Sequence, residues 1–327
     1  MKQISLDAPG ELVERDVQPA NPSAGEALVR MKRVGVCGSD FHAFAGRHPI
    51  YTYPRVLGHE LSGEIVEIAP NERGLQVGDL CAIEPYIYCG TCRACKKGRT
   101  NCCEQLRVYG VHVDGGMQGY LPVRIDLLHP SRVLSLDQLA LIETLGIGAH
   151  AVERSALREG EHALVMGAGP IGLGVSQFAL LAGATVSVVE YNPARRRFVE
   201  MMGARALEQP DSQVYDVVFD ATGSAEAMNK SLDYVAATGR LVYVGLTKES
   251  LIINDSLFHR REMTVMASRN SCNQFPRIIR IIEEGRIDVN PWITDRMTLS
   301  DVPIRLKELP TKSTLVKALV ELDEADV

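Results

Sequence analysis

The stretch Val165-Met166-Gly167-Ala168-Gly169-Pro170-Ile171-Gly172 leaves this chain few folds to choose from. An apolar run from Ala163 to Met166 breaks into Gly-x-Gly-x-x-Gly and then into a helix-like segment, Ile171 to Leu181. At this spacing Gly167 permits a tight turn, Gly169 lets the backbone approach a pyrophosphate, and Gly172 lets the helix pack closely on the strand. Pro170 fits the first helical turn, where its missing N–H costs nothing. The free N–H groups and positive dipole end of that helix then face a phosphate.

The motif alone is weak evidence, and its flanks strengthen it. A second β-like run, Thr185 to Val189, ends in Glu190, which lies 18 residues beyond Gly172. A carboxylate there accepts hydrogen bonds from ribose hydroxyls and repels a 2′-phosphate, which favours NAD over NADP. Arg195, Arg196 and Arg197 follow; a 2′-phosphate would suit them, but they read chiefly as a solvated helix face.

A chain of 327 residues has room for two domains with separate cores. Residues 1 to about 145 alternate short β-like runs with Gly/Pro turns, the pattern of a partly antiparallel barrel. From about Gly148 the pattern becomes strand, helix, strand, helix, with strands expected at 163–167, 185–190, 216–220, 240–244 and 263–267. Ala206 to Tyr215 is too short for a full crossover helix, so one unit there should be abbreviated. The expected division is 1–147 with 290–327 in a catalytic domain and 148–289 in a nucleotide-binding domain. The net charge of −6 and the absence of a Lys/Arg block argue against nucleic acid or an anionic membrane as partner. No apolar run approaches a membrane span and no signal-like segment opens the chain, so a cytoplasmic protein is expected.

Five of the eight cysteines crowd into one loop, four of them at metal-ligand spacing, Cys89-x-x-Cys92-x-x-Cys95-x7-Cys103. Four thiolates so spaced close tetrahedrally on Zn2+ and leave no position for substrate, which makes the site structural. An iron–sulfur cluster is the competing reading, although no proline follows the fourth cysteine. Cys102, next to Cys103, competes as the fourth ligand. Such clustering suits a reducing compartment better than a disulfide framework.

Two further turns, Val36-Cys37-Gly38-Ser39-Asp40-Phe41-His42 and Leu57-Gly58-His59-Glu60, bring a thiol and an imidazole beside acids. One thiolate, one imidazole and one carboxylate form a zinc shell open to a fourth, exchangeable oxygen. These motifs, with the cysteine loop, Asp114-Gly115-Gly116, Leu141-Ile142-Glu143, the glycine motif and Asp220-Ala221-Thr222-Gly223, resemble in their order the zinc-dependent medium-chain alcohol and polyol dehydrogenases. Cys37, His59-Glu60 and Glu143 resemble the sorbitol dehydrogenase branch. Tyr53 to Glu60, Gly98 to Glu104 and Ser268-Arg269-Asn270 are similar to bacterial galactonate dehydrogenases acting on a sugar acid.

The resemblance implies an α/β protein with a GroES-like partial β-barrel catalytic domain and a Rossmann doubly wound parallel-sheet domain. It implies catalytic Zn2+ on Cys37, His59 and Glu60 or Glu143, structural Zn2+ on Cys89, Cys92, Cys95 and Cys103, and proton transfer through Ser39 and His42. NAD contacts are expected from Gly167, Gly169, Pro170, Ile171, Gly172, Glu190, Arg195, Thr222, Val244 and Gly245, and substrate contacts from Arg269 and Asn270. The substrate is expected to be a polyol or sugar acid, and the assembly a homodimer or homotetramer. Two rival readings are a threonine- or butanediol-type zinc dehydrogenase and a nucleotide-binding relative that has lost catalysis.

Overall fold

The computed structural model describes residues 1–327 and divides into two compact units, Met1–Glu143 with Phe275–Val327, and Thr144–Gln274. The sequence-based bounds ran further at both joins. The helix Phe275–Glu283 belongs to the first unit, with Phe275, Ile278, Ile279, Ile281 and Ile282 buried. Its helical period follows naturally on the βα repeat, so pattern alone groups it with the strands before it, whereas its packing groups it with the first unit.

The first unit is built on a sheet of seven strands. Its path runs Leu128–Pro130, Leu80–Ile83, Glu60–Ile68, Glu26–Val36, Lys317–Glu321 and Ile293–Thr298, with Tyr120–Arg124 also paired to Glu26–Val36. All pairs are antiparallel except Lys317–Glu321 with Ile293–Thr298. Strand Glu26–Val36 alternates half-buried and buried residues over its first half, sending Ala27, Val29 and Met31 into the core with Ile4, Leu6, Leu61 and Ile65. Register shifts at Leu28/Val29 and Met31/Arg33 bend it, as bulges do when a sheet curls towards a barrel. The C-terminal strand completes this sheet, so the last part of the chain does rejoin the first.

The second unit holds a six-stranded parallel sheet in the order Arg205–Leu207, Thr185–Val189, His162–Met166, Tyr215–Asp220, Val235–Tyr243 and Thr264–Ala267. Counted along the unit this is 3-2-1-4-5-6, the doubly wound dinucleotide-binding order. Arg205–Leu207 was not foreseen. It is three residues long, lies at the edge and has no β-branched residue. No helix separates it from Tyr215–Asp220, as its short connection required.

The glycine motif forms the turn from His162–Met166 into the helix Pro170–Leu181. Gly167 has φ +92°, and a Cβ on Gly172 would sit 1.8 Å from the Gly167 carbonyl oxygen. A Cβ on Gly169, by contrast, would meet nothing within 4 Å. No helix of the chain is long and apolar enough to cross a membrane.

These surroundings separate the glycines experimentally. Gly172→Ala is expected to destabilise the second unit by about 1–3 kcal/mol through overpacking. Gly169→Ala should leave stability within about 0.5 kcal/mol of the parent. Urea denaturation followed by far-UV circular dichroism checks both, and equal losses would contradict the geometry.

Candidate active site and metal centres

The sheet of the first unit delivers its chemistry at one end. Strand Glu26–Val36 runs directly into Cys37, the N-cap of helix Gly38–Phe44. The Asp40 carboxylate turns back to accept from the Cys37 N–H at 2.9 Å, which fixes the turn holding the thiol. His59 precedes strand Glu60–Ile68 and follows Gly58, whose φ is +96° and whose Cβ would clash with Val34 at 2.6 Å. The ligand atoms of Cys37, His59 and Glu60 all lie within 4.8 Å of one another.

This cluster is buried and charged. His59 is 7% exposed, Glu60 1%, Glu143 5% and Asp40 fully buried. His59 Nδ1 and Asp40 Oδ1 lie 3.9 Å apart, and neither has a hydrogen-bond partner. Burial disfavours the His59 imidazolium, but Cys37, Asp40 and Glu143 outweigh it and raise its pKa well above the ordinary value. Burial, only partly opposed by His59, pushes the Glu143 carboxyl up as well. A thiol, an imidazole and a carboxylate converging in a dry site, beside orphaned polar atoms, fit a divalent cation with mixed S, N and O ligands.

The two candidate glutamates have different partners. Glu143, in the first turn of helix Ile142–Ser155, accepts from the buried Tyr86 hydroxyl and stands outside the three-residue cluster. Glu60 is held at 2.6 and 2.8 Å by Nζ of Lys317, which is 2% exposed. Sequence reasoning missed Lys317 and Tyr86. The trace of Lys317 was a lone cation in the apolar run Leu315 to Val320. Ser39 is half-buried in the first turn of helix Gly38–Phe44, and His42 is exposed in its last.

The cysteine loop lies between the paired strands Tyr86–Ile87 and Arg107–Val108. The sulfurs of Cys89, Cys92, Cys95 and Cys103 are within 4.8 Å of one another, and all are free thiols. Cys102 is exposed and outside the group. The amides of Thr91 and Cys92 favour the Cys89 thiolate and bring its pKa down to about 6. Desolvation, with the hydrogen bond to Cys92 next, pushes Cys95 up to about 12. Four crowded sulfurs so opposed fit a cation that lets all four ionise.

In the second unit, Glu190 accepts from the Ala168 N–H at 2.9 Å and from the Asn192 N–H at 2.8 Å, which ties it to the glycine turn. Arg195 approaches it at 4.0 Å. Asp220, fully buried and also missed as a positioning group, accepts from the N–H and hydroxyl of Thr222 at 2.9 and 2.7 Å. Its carbonyl accepts from the Val244 and Gly245 N–H groups, both at 2.9 Å. One aspartate thus gathers three of the expected cofactor residues at the strand ends. Arg269 is exposed just beyond strand Thr264–Ala267, and Asn270 has φ +48°.

Residues 23–133 match the alcohol dehydrogenase GroES-like domain and residues 170–284 the zinc-binding dehydrogenase family. The chain is 41% identical over 310 residues to L-galactonate-5-dehydrogenase of Escherichia coli K12, covering 90% of this chain and 91% of that protein. It is a zinc-type medium-chain dehydrogenase. Among solved structures, a zinc-binding dehydrogenase of Sinorhizobium meliloti bound to NADP has TM-score 0.92 and 30% identity, covering 98% of each chain. An Escherichia coli alcohol dehydrogenase complexed with NADH has TM-score 0.91 and 28% identity, covering 98% of this chain and 99% of that one. The family's two-part architecture is the one found here, with a GroES-like catalytic unit and a Rossmann unit.

The cysteine geometry separates two neighbouring thiols. Cys103→Ser is expected to lower the zinc content by about one ion per chain, as the loss of one ligand from a closed four-ligand site should. Cys102→Ser is expected to leave it unchanged. Elemental analysis of the purified variants checks both, and zinc loss from Cys102→Ser alone would reverse the assignment.

Proposed function

We propose that this protein oxidises a secondary alcohol of a polyol or sugar acid, of the L-galactonate kind, with NAD+ as hydride acceptor. The observation that carries this reading is the buried convergence of Cys37, His59 and Glu60 in a chain 41% identical to an L-galactonate-5-dehydrogenase. Cys37, His59 and Glu60 would hold the catalytic Zn2+, with Glu143 in reserve on Tyr86, and Cys89, Cys92, Cys95 and Cys103 the structural one. Bound there, Zn2+ supplies a Lewis acid that makes a substrate hydroxyl more acidic, and NAD+ supplies the hydride acceptor.

The chain's own groups do the rest. Ser39 accepts the proton leaving the substrate hydroxyl, and exposed His42, on the same short helix, passes it to water. Asp40 fixes the Cys37 turn, so the thiol is placed before substrate arrives. Burial of His59, Glu60 and Glu143 keeps competing water away from the reacting hydroxyl.

In the second unit, Gly167, Gly169, Pro170, Ile171 and Gly172 receive the pyrophosphate, and Glu190 exchanges its hold on the Ala168 N–H for the ribose hydroxyls. Arg195, Thr222, Val244 and Gly245 complete that cofactor site. A carboxylate at position 190 supports NAD over NADP. Arg269 and Asn270 are proposed to recognise substrate, with the Arg269 guanidinium taking a carboxylate in a bidentate pair. The protein is further proposed to be a cytoplasmic homodimer or homotetramer. Free thiols in the cysteine group support the compartment, and light scattering of the purified protein measures the assembly.

Two measurements test the reading. NADH formation across polyols, sugar acids, threonine and short diols should be strongest with an L-galactonate-like acid and NAD+. A preference for threonine or butanediol would overturn the substrate class. Cys37→Ser should lower kcat by at least about a thousand-fold, on the scale of losing a principal catalytic group, with NADH affinity within about two-fold of the parent. Near-normal turnover by that variant would refute the metal site's role.

A further inference from the structure

Lys317 is the one lysine or arginine of the chain that is buried, and the mechanism above gives it no task. The inference drawn from it rests on the proposed reading, in which Cys37, His59 and Glu60 hold a metal. Strand register explains how it reaches the site. Glu60 pairs with Gly35 on one side of strand Glu26–Val36, and Leu319 pairs with Gly35 on the other. Ala318 pairs with Val36, so Lys317 comes next along the strand, level with Cys37.

Gly35 leaves the passage open. A Cβ at this position would lie 2.1 Å from Glu60 Oε2, 2.8 Å from Glu60 Cβ and 3.1 Å from Glu60 Cδ. Its three nearest neighbours are therefore all atoms of one side chain. The Glu60 side chain folds over Gly35 towards the next strand, where Lys317 Nζ meets both its oxygens at 2.6 and 2.8 Å and the Val36 carbonyl at 3.3 Å. The same carboxylate stays within 4.8 Å of the Cys37 sulfur and a His59 ring nitrogen.

A buried ion pair is not needed for packing alone, since apolar residues of similar volume serve as well or better. What the pair achieves here is to keep one carboxylate ionised beside a thiol and an imidazole while occupying both of its oxygens. A dication at that point must share the carboxylate with an ammonium that also repels it.

We propose that Gly35 and Lys317 form a slot that holds the Glu60 carboxylate in competition with the metal, which makes Lys317 a positioning residue that sets how firmly the metal is held. Glu60 is then a metered ligand, and the Tyr86-bound Glu143 is free of this restraint. Losing the ammonium hands Glu60 wholly to the metal, and crowding the slot drives Glu60 out of it. Both changes strengthen metal binding.

The test uses Lys317→Met, Gly35→Ala and Lys317→Arg in the full-length protein. Zinc affinity is read by competition with a chromogenic chelator, and the coordination shell by the visible absorption of the Co2+-substituted protein. Outer-shell changes commonly alter metal affinity by about 10–100-fold. Lys317→Met and Gly35→Ala are each expected to bind zinc at the Cys37 site about ten-fold more tightly than the parent. Both should shift the Co2+ bands in the same direction, and Lys317→Arg should return towards the parental values.

Gly35→Ala keeps the lysine and carries the test if Lys317→Met does not fold. Unchanged affinity and spectra in the variants, with the parent holding a zinc that Cys37→Ser removes, would overturn this inference and leave the proposed function standing. A parent holding no such zinc would overturn both.

Discussion

The catalytic unit depends on confining several charges where three strands meet. Cys37, the adjacent pair His59 and Glu60, and Lys317 come from three separate stretches of chain, and Glu60 and Lys317 are each almost wholly buried. Removing one member of such a pair costs about 3–5 kcal/mol, because the remaining charge is left uncompensated. The first strand pairs, the bulges and the return of the C-terminal strand therefore serve one requirement, which is to bring compensating charges to the same point before any ligand arrives. The same burial makes it costly that two polar atoms, His59 Nδ1 and Asp40 Oδ1, lie 3.9 Å apart without a hydrogen bond.

The nucleotide-binding unit meets the opposite requirement. Its turn needs room rather than charge, and the motif glycines provide it in different ways: a left-handed turn at Gly167, open space at Gly169 and close backbone approach at Gly172. Asp220 and Glu190 then hold the surrounding loops by accepting backbone N–H groups. Glu190 accepts from the Ala168 and Asn192 N–H groups, so its carboxylate is held against the glycine turn. The unit is thus preorganised by hydrogen bonds, while the other is preorganised by buried charge.

Local motifs made much of this legible. The glycine spacing implied strand, turn and helix, and the cysteine spacing implied one closed group, because both depend on residues near in sequence. The short gap after Ala206 correctly implied a missing helix. What stayed hidden depends on long-range register. Lys317 lies 257 residues from Glu60, and only the pairing of both strands with Gly35 makes them neighbours. Tyr86 and Glu143 are 57 residues apart and meet across the unit's interior. The helix Phe275–Glu283 packs with the first unit although it follows the βα repeat, and period alone does not distinguish the two because it is the same on either side of a domain boundary.

The central claim is that buried side chains of the first unit form a metal site distinct from the cysteine loop. Anomalous diffraction at the zinc absorption edge, from crystals of the purified protein, tests it most directly. The account predicts two peaks, one enclosed by Cys89, Cys92, Cys95 and Cys103 and one bounded by Cys37, His59 and the Glu60 carboxylate. A single peak at the cysteine loop, in protein that turns over substrate at its full rate, would contradict it.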